Sequence, residues 1–364
     1  MKEISLQHVI DLMTEYNAIN AISGYEGPVA DALVKNLEGC FDSTRRDALG
    51  NCICLKKGSE NGKKILLTAH MDEIGFLVCD ITPEGMVTLL PVGFHNPAML
   101  TNQVFSIYTR ANGTVYGVIA GGKPPHLAGA QEAPHSVGEL RIDVGCFSPE
   151  EVKAKGVRVG DPVNIDKPGR MLSETVFSGK AVDNRSGVVA LTLAMELLAD
   201  EKLDVNVYGC GTVQEELGLK GAKVLAQGIN PDYAVTVDVC FAHEGSPDEL
   251  NPVATRMEMG KGPGIQMFDW NTSHCTGIIV LPEMVHRLED AAEHAGVPCQ
   301  PLINVNGGTD ACEMSLTNSG VLTGSISLPE RYIHTTIGTV DVRDILAAGK
   351  MLAQFVLDLN AEQK

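Results

Sequence analysis

Residues 205–218 read VNVYGCGTVQEELG, an apolar β-strand pattern that ends in two adjacent carboxylates and a glycine turn. Successive side chains of an extended chain point to opposite sides. One residue of the Glu215-Glu216 pair can therefore bind a metal ion through its carboxylate while the other holds a water. An isolated Glu-Glu pair is more often solvated surface. Here the glycine turn, and polar residues at other strand ends, favour a functional site in an α/β fold.

Three other β-rich runs also lead to candidate metal ligands. These are residues 63–69 before His70 and Asp72, residues 233–237 before Asp238, and residues 320–328 before His334. In a His-x-Asp motif the histidine can bind a metal through one ring nitrogen while the carboxylate fixes its orientation. Taken singly, Asp238 is more typical of a turn and His334 of a hydrogen-bonded structural residue. Their joint occurrence favours a shared site.

Asp183 lies in GKAVDNRSG, residues 179–187, where an apolar helix begins. It is either the N-cap of that helix or a further ligand.

Carboxylates gathered at the carboxyl ends of several strands would repel one another without cations. Mixed imidazole and carboxylate ligands suit zinc, cobalt or manganese better than calcium. Two such ions about 3.5–4 Å apart, bridged by a carboxylate, polarise a carbonyl and generate hydroxide near neutral pH.

Seven motifs together give the chain a resemblance to the M42 family of dinuclear metallo-aminopeptidases, some of whose members carry the label cellulase or endoglucanase. The motifs are TAHMDEIG at 68–75, GKAVDNRSG at 179–187, TVQEELGLKGA at 212–222, VDV at 237–239, GKGPGI at 260–265, GGTDA at 307–311 and RYIHT at 331–335. The resemblance covers nearly the whole chain. It implies a mixed-sheet, phosphorylase/hydrolase-like catalytic domain with a small β-barrel-like domain inserted in it.

The same resemblance implies a role for each candidate residue. It implies two divalent ions per chain, zinc first, with cobalt or manganese as alternatives. With Asp183 as the bridge, the other ligands would be His70 and Asp238 for one ion, and Glu216 and His334 for the other. Glu215 would be the general base on the water between the ions, and Asp72 would support His70. None of these positions departs from the family pattern.

Length, charge and composition limit the architecture and the partners. At 364 residues the chain is long enough for two domains, and 44% hydrophobic content supports globular packing. The net charge of −18 argues against nucleic acid and anionic membranes as partners. The apolar stretches fall short of a membrane span, the N-terminal residues lack a signal-peptide core, and the ten cysteines lack a Cys-x-x-Cys pattern. These features predict a cytoplasmic protein with reduced core cysteines.

An inserted domain is predicted between residues 74 and 167, where short β-rich runs replace the alternation of helix and strand patterns. The catalytic domain would then comprise residues 1–73 and 168–364. Related M20-type enzymes carry their extra domain after the Glu-Glu pair instead. In M42 enzymes the insert mediates assembly. The resemblance therefore implies a homo-oligomer, a dodecamer built from dimers, with residues 117–126 either near subunit contacts or in an ordinary loop.

Two glycine-rich motifs lie outside the ligand set. GGTDA, residues 307–311, predicts a tight turn into a helix, which is either a helix start capped by Thr309 or Asp310 or a site whose free N–H groups hold a substrate carbonyl or carboxylate. GKGPG, residues 260–264, lacks the Walker spacing and predicts a loop beside the pocket. No cofactor other than the metal ions is therefore expected.

Taken with the resemblance, these patterns predict an aminopeptidase that hydrolyses N-terminal residues from peptides with a free amine. The first alternative is an endo-1,4-glucanase. Sugar hydrolysis needs two opposed carboxylates and usually aromatic platforms, and aromatic residues are only 5% of the chain, with Trp270 the sole tryptophan. The second alternative is a non-catalytic metal-binding scaffold, which would not need Glu215.

Overall fold

The computed structural model describes residues 2–119, 134–243, 254–272, 275–305 and 307–363. Its strands are β1 Ser43–Arg46, β2 Cys52–Lys56, β3 Lys64–His70, β4 Gly75–Ile81, β5 Met86–Val92, β6 Gln103–Thr109, β7 Gly113–Ile119, β8 Arg141–Asp143, β9 Pro162–Ile165, β10 Arg170–Met171, β11 Val176–Gly179, β12 Asn206–Thr212, β13 Tyr233–Phe241, β14 Gly264–Asn271, β15 Thr276–Ile279, β16 Gln300–Ile303, β17 Leu322–Arg331 and β18 Gly338–Asp341. Its α-helices are α1 Leu6–Ala18, α2 Gly27–Asn36, α3 Pro149–Ala154, α4 Val182–Leu198, α5 Lys220–Ile229, α6 Pro282–Ala295, α7 Asp310–Met314 and α8 Val342–Gln363.

Twelve strands form one large mixed sheet. Its main path is β1-β2-β12-β3-β13-β17-β18-β11-β10, and β14 joins it beside β17 together with β15 and β16. The central strands β12, β3, β13 and β17 run parallel to one another. Helices α1, α4, α6 and α8 pack on one face, and α5 and α7 pack on the other. Because both faces are covered, the central strands are apolar along most of their length, as in KILLTA of β3.

Six strands form a separate closed barrel in the order β4-β5-β8-β7-β6-β9. The barrel has its own core, which includes Phe76, Phe105, Ile107, Ile142 and Val163. The predicted mixed-sheet fold with an inserted β barrel is therefore confirmed. The barrel strands lie between Gly75 and Ile165. The domain borders at residues 74 and 167 stay a prediction.

Several elements differ from the sequence-based expectations. Strand β13 continues beyond Asp238 because it pairs with β17 as far as Phe241 and Glu330, so Asp238 lies inside the strand and not at its end. Cys79, Cys275 and Cys299 are exposed, so the prediction that the cysteines are core residues is wrong for these three.

Of the segment predicted near subunit contacts, residues 117–119 belong to β7, and residues 120–126 lie outside the described residues. Across the described ranges, no helix is both long enough and apolar enough to span a bilayer.

Candidate metal centre

The predicted ligands and the predicted base meet at one edge of the large sheet, because most of them follow or lie on strands that are parallel neighbours. They come from five places: His70 from the end of β3, Glu215 and Glu216 from the turn after β12, Asp238 from β13, His334 from the chain after β17, and Asp183 from the start of α4. The carboxyl edge of an open α/β sheet is the usual place for a ligand site. The structure thus brings together all the residues that the sequence singled out.

Asp183 lies between the two histidines. Its Oδ1 atom is 3.0 Å from Nε2 of His70, and its Oδ2 atom is 3.3 Å from Nε2 of His334. The N-cap position of α4 belongs to Ala181, and Asp183 has a non-helical backbone with φ −76° and ψ 107°. Its peptide bond to Asn184 is cis. Asp183 is therefore not the helix cap, and its two oxygens face two different groups of donors.

Each histidine also contacts a further carboxylate. On one side, Nε2 of His70 is 3.5 Å from Oδ1 of Asp238. On the other side, Nε2 of His334 is 3.3 Å from Oε2 of Glu216. The side chain of His70 is 3% exposed and that of His334 is 31% exposed, so the His334 side is the one open to solvent.

Asp72 is fully buried and organises the backbone behind the ligands. Its two carboxylate oxygens accept hydrogen bonds from the backbone N–H groups of Glu215 and Glu216, each at 3.1 Å. Ser23 Oγ donates to it at 2.6 Å. Nδ1 of His70 is 3.1 Å from the Asp72 carbonyl oxygen and 3.5 Å from its carboxylate. The Asp72 carboxylate therefore fixes the Glu215-Glu216 turn more directly than it fixes His70.

The turn that carries the carboxylate pair has an unusual backbone. Gln214 adopts φ 55°, and its N–H donates to Oε1 of Glu26 at 3.0 Å. Gly218, at φ 101°, closes the turn by donating to the carbonyl of Glu215 at 3.0 Å, in a conformation that favours glycine. His334 also has a positive φ of 55°. Left-handed conformations at residues other than glycine cost energy and cluster at functional sites.

The charges of the centre are strongly coupled. Burial raises the pKa of Glu215 well above its usual range and that of Glu216 to about 8. Burial acts in the same direction on Asp183, but its contacts with His334 and His70 outweigh burial and lower its pKa. Burial alone would lower the pKa of both histidines, but the carboxylates raise that of His334 to about 9 and that of His70 well above its usual range. The centre thus favours positive charge.

The donor set fits divalent metal ions. One ligand atom each from His70, Glu215 and Asp238 lies within 4.8 Å of the other two, and the same holds for His70, Asp183 and Glu216. Ligands about 2.1 Å from a tetrahedral zinc ion are roughly 3.4 Å apart, which is close to the 3.0–3.5 Å between the histidine nitrogens and the carboxylate oxygens. Glu215 lies close enough to this set to act as either a ligand or a base.

Three charged residues beside the centre were not among those predicted from the sequence. They are Glu73, Lys180 and Arg185, and all three are buried. Each lies in a motif already quoted, TAHMDEIG or GKAVDNRSG. Glu73 directly follows Asp72, and Lys180 and Arg185 flank Asp183, but nothing in the two motifs indicates that these three side chains pair with one another.

The two glycine-rich motifs are tied to the scaffold by hydrogen bonds. Thr309 is the N-cap of α7 but makes no side-chain capping bond, and Asp310 instead accepts a hydrogen bond from Thr212 Oγ1 at 2.5 Å. This bond joins α7 to the end of β12, just before Glu215. The N–H groups of Gly260 and Gly262 both donate to Asp344 in α8, which holds the GKGPG loop.

Comparisons with known proteins agree with this architecture. The M42 glutamyl aminopeptidase profile matches residues 50–351. The chain is 33% identical over 362 residues to the glutamyl aminopeptidase of Lactococcus lactis subsp. cremoris, with 98% of each chain covered. An aminopeptidase of the archaeon Desulfurococcus kamchatkensis superposes with a TM-score of 0.88 at 38% identity, covering 96% of this chain and 95% of that one. The Pyrococcus horikoshii TET1 peptidase, described as assembling into a tetrahedron or a large octahedral shell, gives a TM-score of 0.83 at 30% identity over 95% and 98% of the two chains.

Proposed function

Since the chain belongs to the M42 glutamyl aminopeptidase family and is a hydrolase, we propose that it removes N-terminal residues from peptides with the help of two divalent ions. Enzymes of this family depend on metal. The observation that carries the proposal is the position of Asp183, whose two oxygens face His70 and His334 separately. A carboxylate in that position is suited to bridge two cations.

In this proposal the ligands divide into two sets that share Asp183. The first set adds His70 and Asp238, and the second adds Glu216 and His334. We expect zinc in both sites, with cobalt or manganese as alternatives, because all three ions bind imidazole and carboxylate ligands. When bound, the ions polarise the scissile carbonyl and lower the pKa of a water.

Glu215 carries the proton in this reaction. Its carboxylate takes a proton from the attacking water while a carbon–oxygen bond forms at the scissile carbonyl. The same carboxyl group then gives that proton to the leaving nitrogen as the carbon–nitrogen bond breaks. The products are a free N-terminal amino acid and a shortened peptide with a new amine. The carboxylates of the centre would also attract the free amine of the substrate.

Acetylation of the substrate amine is expected to abolish hydrolysis. A neutral amide cannot provide the positive charge or the free nitrogen that a carboxylate-rich site recognises. The measurement is a panel of aminoacyl chromogenic amides, each compared with its N-acetyl form, in the presence of zinc, cobalt or manganese. A soluble cellulose derivative, assayed in parallel, covers the glucanase alternative. Equal hydrolysis of blocked and free substrates, or hydrolysis of the cellulose derivative, would overturn the aminopeptidase proposal.

We further propose that the chain self-assembles through the barrel, with the insert spanning residues 74–167. Several large apolar side chains are exposed on it, namely Leu90, Tyr116, Val118, Phe147 and Val159. Exposed apolar side chains that lie side by side mark contact surfaces between proteins, and Tyr116 and Val118, two residues apart on β7, lie on the same face of that strand. A closed homo-oligomer would cover them.

Light scattering at micromolar concentration is expected to give a mass near twelve times that of the chain. The mass should not change between metal-loaded and metal-stripped samples if the barrel alone makes the contacts, because the candidate ligands lie outside it. A monomer at that concentration would contradict the assembly proposal and leave the chemistry of the centre unaffected.

A further inference from the structure

A buried ion cluster of Glu73, Lys180 and Arg185, hereafter the Glu73 cluster, lies behind the candidate metal centre. The exposed fractions of these side chains are 4%, 8% and 0%. Lys180 Nζ is 2.8 Å from both carboxylate oxygens of Glu73, and Arg185 Nη2 is 3.1 Å from one of them. The cluster therefore combines two cations with one carboxylate in a buried environment.

Arg185 connects the two segments that supply the central ligands. Its Nη1 donates to the carbonyl of Met71, the residue after His70. Arg185 itself lies two residues after Asp183. Its Nε also donates to the carbonyl of Tyr16 at 3.2 Å. The planar guanidinium thus fixes the start of α4 relative to the end of β3 by several hydrogen bonds in a set geometry.

Lys180 and Glu73 extend this connection to the loop after α1. Lys180 Nζ and Arg185 Nη2 donate to the carbonyl of Ile19 at 3.2 and 3.3 Å. Glu73 Oε1 accepts from the backbone N–H of Ala21 at 2.9 Å, and Glu73 N–H donates to the carbonyl of Ala21 at 3.0 Å. The same loop carries Ser23, the residue that donates to Asp72. The three ligand-bearing segments, at the end of β3, after β12 and at the start of α4, are therefore held against the same loop.

A buried ion cluster is a poor source of stability, because the loss of hydration can exceed the attraction between its charges. Well-packed apolar side chains often replace such clusters without loss of stability. What apolar side chains cannot replace is the directional contact with the carbonyls of Met71, Ile19 and Tyr16. The position and geometry of the cluster thus point to a role in placing the ligands.

We propose that Lys180, Arg185 and Glu73 are positioning residues that set the spacing between His70 and Asp183, and thereby the affinity of the centre for its cations. This inference rests on the proposed function, because it assumes that the centre binds divalent ions. The cluster acts through geometry and not through its net positive charge. These two possibilities have opposite consequences for Lys180→Met. Removal of a nearby positive charge would tighten cation binding by electrostatics alone, whereas a positioning role requires weaker binding.

The test measures zinc affinity by competition with a chromogenic chelator for the full-length protein and three variants. Lys180→Met and Arg185→Lys should each bind zinc about 10–100-fold more weakly, the range typical of residues that orient metal ligands. Arg185→Lys keeps the charge but cannot reproduce the forked contacts. Lys56→Met is the matched control, because Lys56 also donates to a backbone carbonyl, that of Ala199 at 2.7 Å, but lies at the opposite edge of the sheet. Its zinc affinity should not change.

Two further readouts separate positioning from folding. Circular dichroism melts of the metal-free proteins establish that each variant is folded, and the visible spectrum of the cobalt form reports the geometry of the ligands. We expect folded variants with an altered cobalt spectrum, and a lower kcat with little change in KM. If Lys180→Met does not fold, Arg185→Lys alone decides between geometry and charge.

The outcomes that overturn the inference are distinct. Wild-type affinity and spectrum in folded variants would show that the cluster does not position the ligands. Tighter zinc binding by Lys180→Met would assign its effect to charge, and unchanged zinc binding by Arg185→Lys would show that the forked contacts of Arg185 do not set the spacing of the ligands. Failure of the wild-type protein to bind any divalent ion would instead overturn the proposed function, and this inference with it.

Discussion

Glu215→Gln is expected to keep both metal ions and to hydrolyse peptides about 10²–10⁴-fold more slowly, the usual contribution of a general base. The amide has the shape of the carboxyl group but cannot accept the proton of the attacking water. The contacts that place residue 215 are made by its backbone, whose N–H donates to Asp72 and whose carbonyl accepts from Gly218 and Leu219. The substitution should therefore leave the turn in place. Metal content by atomic emission and kcat on one chromogenic amide provide the measurement.

Glu216→Gln is the matched control, because it makes the same chemical change at the adjacent position. Its side chain contacts His334, and the loss of its charge should weaken one metal site. Excess metal should then restore part of the lost activity, which it cannot do for Glu215→Gln. A metal-depleted Glu215→Gln protein beside a fully loaded but inactive Glu216→Gln protein would reverse the two assignments.

The large sheet could be predicted because its signals are local. The apolar runs before His70 and Glu215 are buried strands, and their burial on both faces follows from helices on both sides of the sheet. The barrel could be predicted because short β-rich runs replace the alternation of helix and strand patterns in its segment of the sequence. The extension of β13 beyond Asp238 could not be predicted, because it depends on pairing with β17, which is remote in the sequence.

The candidate ligands could be chosen from the sequence, but the residues that hold them could not. A metal ligand needs a particular donor atom, and histidines and carboxylates at strand ends are few. Arg185 and Lys180 contact backbone carbonyls and Glu73, and neither interaction leaves a pattern in the sequence. The contact of Asp310 with Thr212 is similar, since it joins residues 98 positions apart. Such partners follow from the tertiary structure alone.

Asp183→Asn is expected to lose both metal ions at micromolar metal, with a fall in zinc affinity of more than about 100-fold, beyond the range for residues that only orient ligands. In the proposed centre this carboxylate is the one ligand common to both cations. An amide retains one oxygen for one cation and turns a nitrogen, which is not a metal ligand, toward the other. It also removes one negative charge that offsets the repulsion between the two cations.

Activity of Asp183→Asn should fall with metal content and recover only in part when metal is added in excess. Asp161→Asn is the control, because Asp161 is also buried but accepts a hydrogen bond from the backbone N–H of Arg158, just before β9 of the barrel, and is not one of the candidate ligands. Its metal content should equal that of the wild-type protein. If Asp183→Asn retained two ions with wild-type affinity, Asp183 could not be the bridge. His70 and His334 would then belong to sites that do not depend on a shared carboxylate, and the structural basis for two coupled cations would be lost.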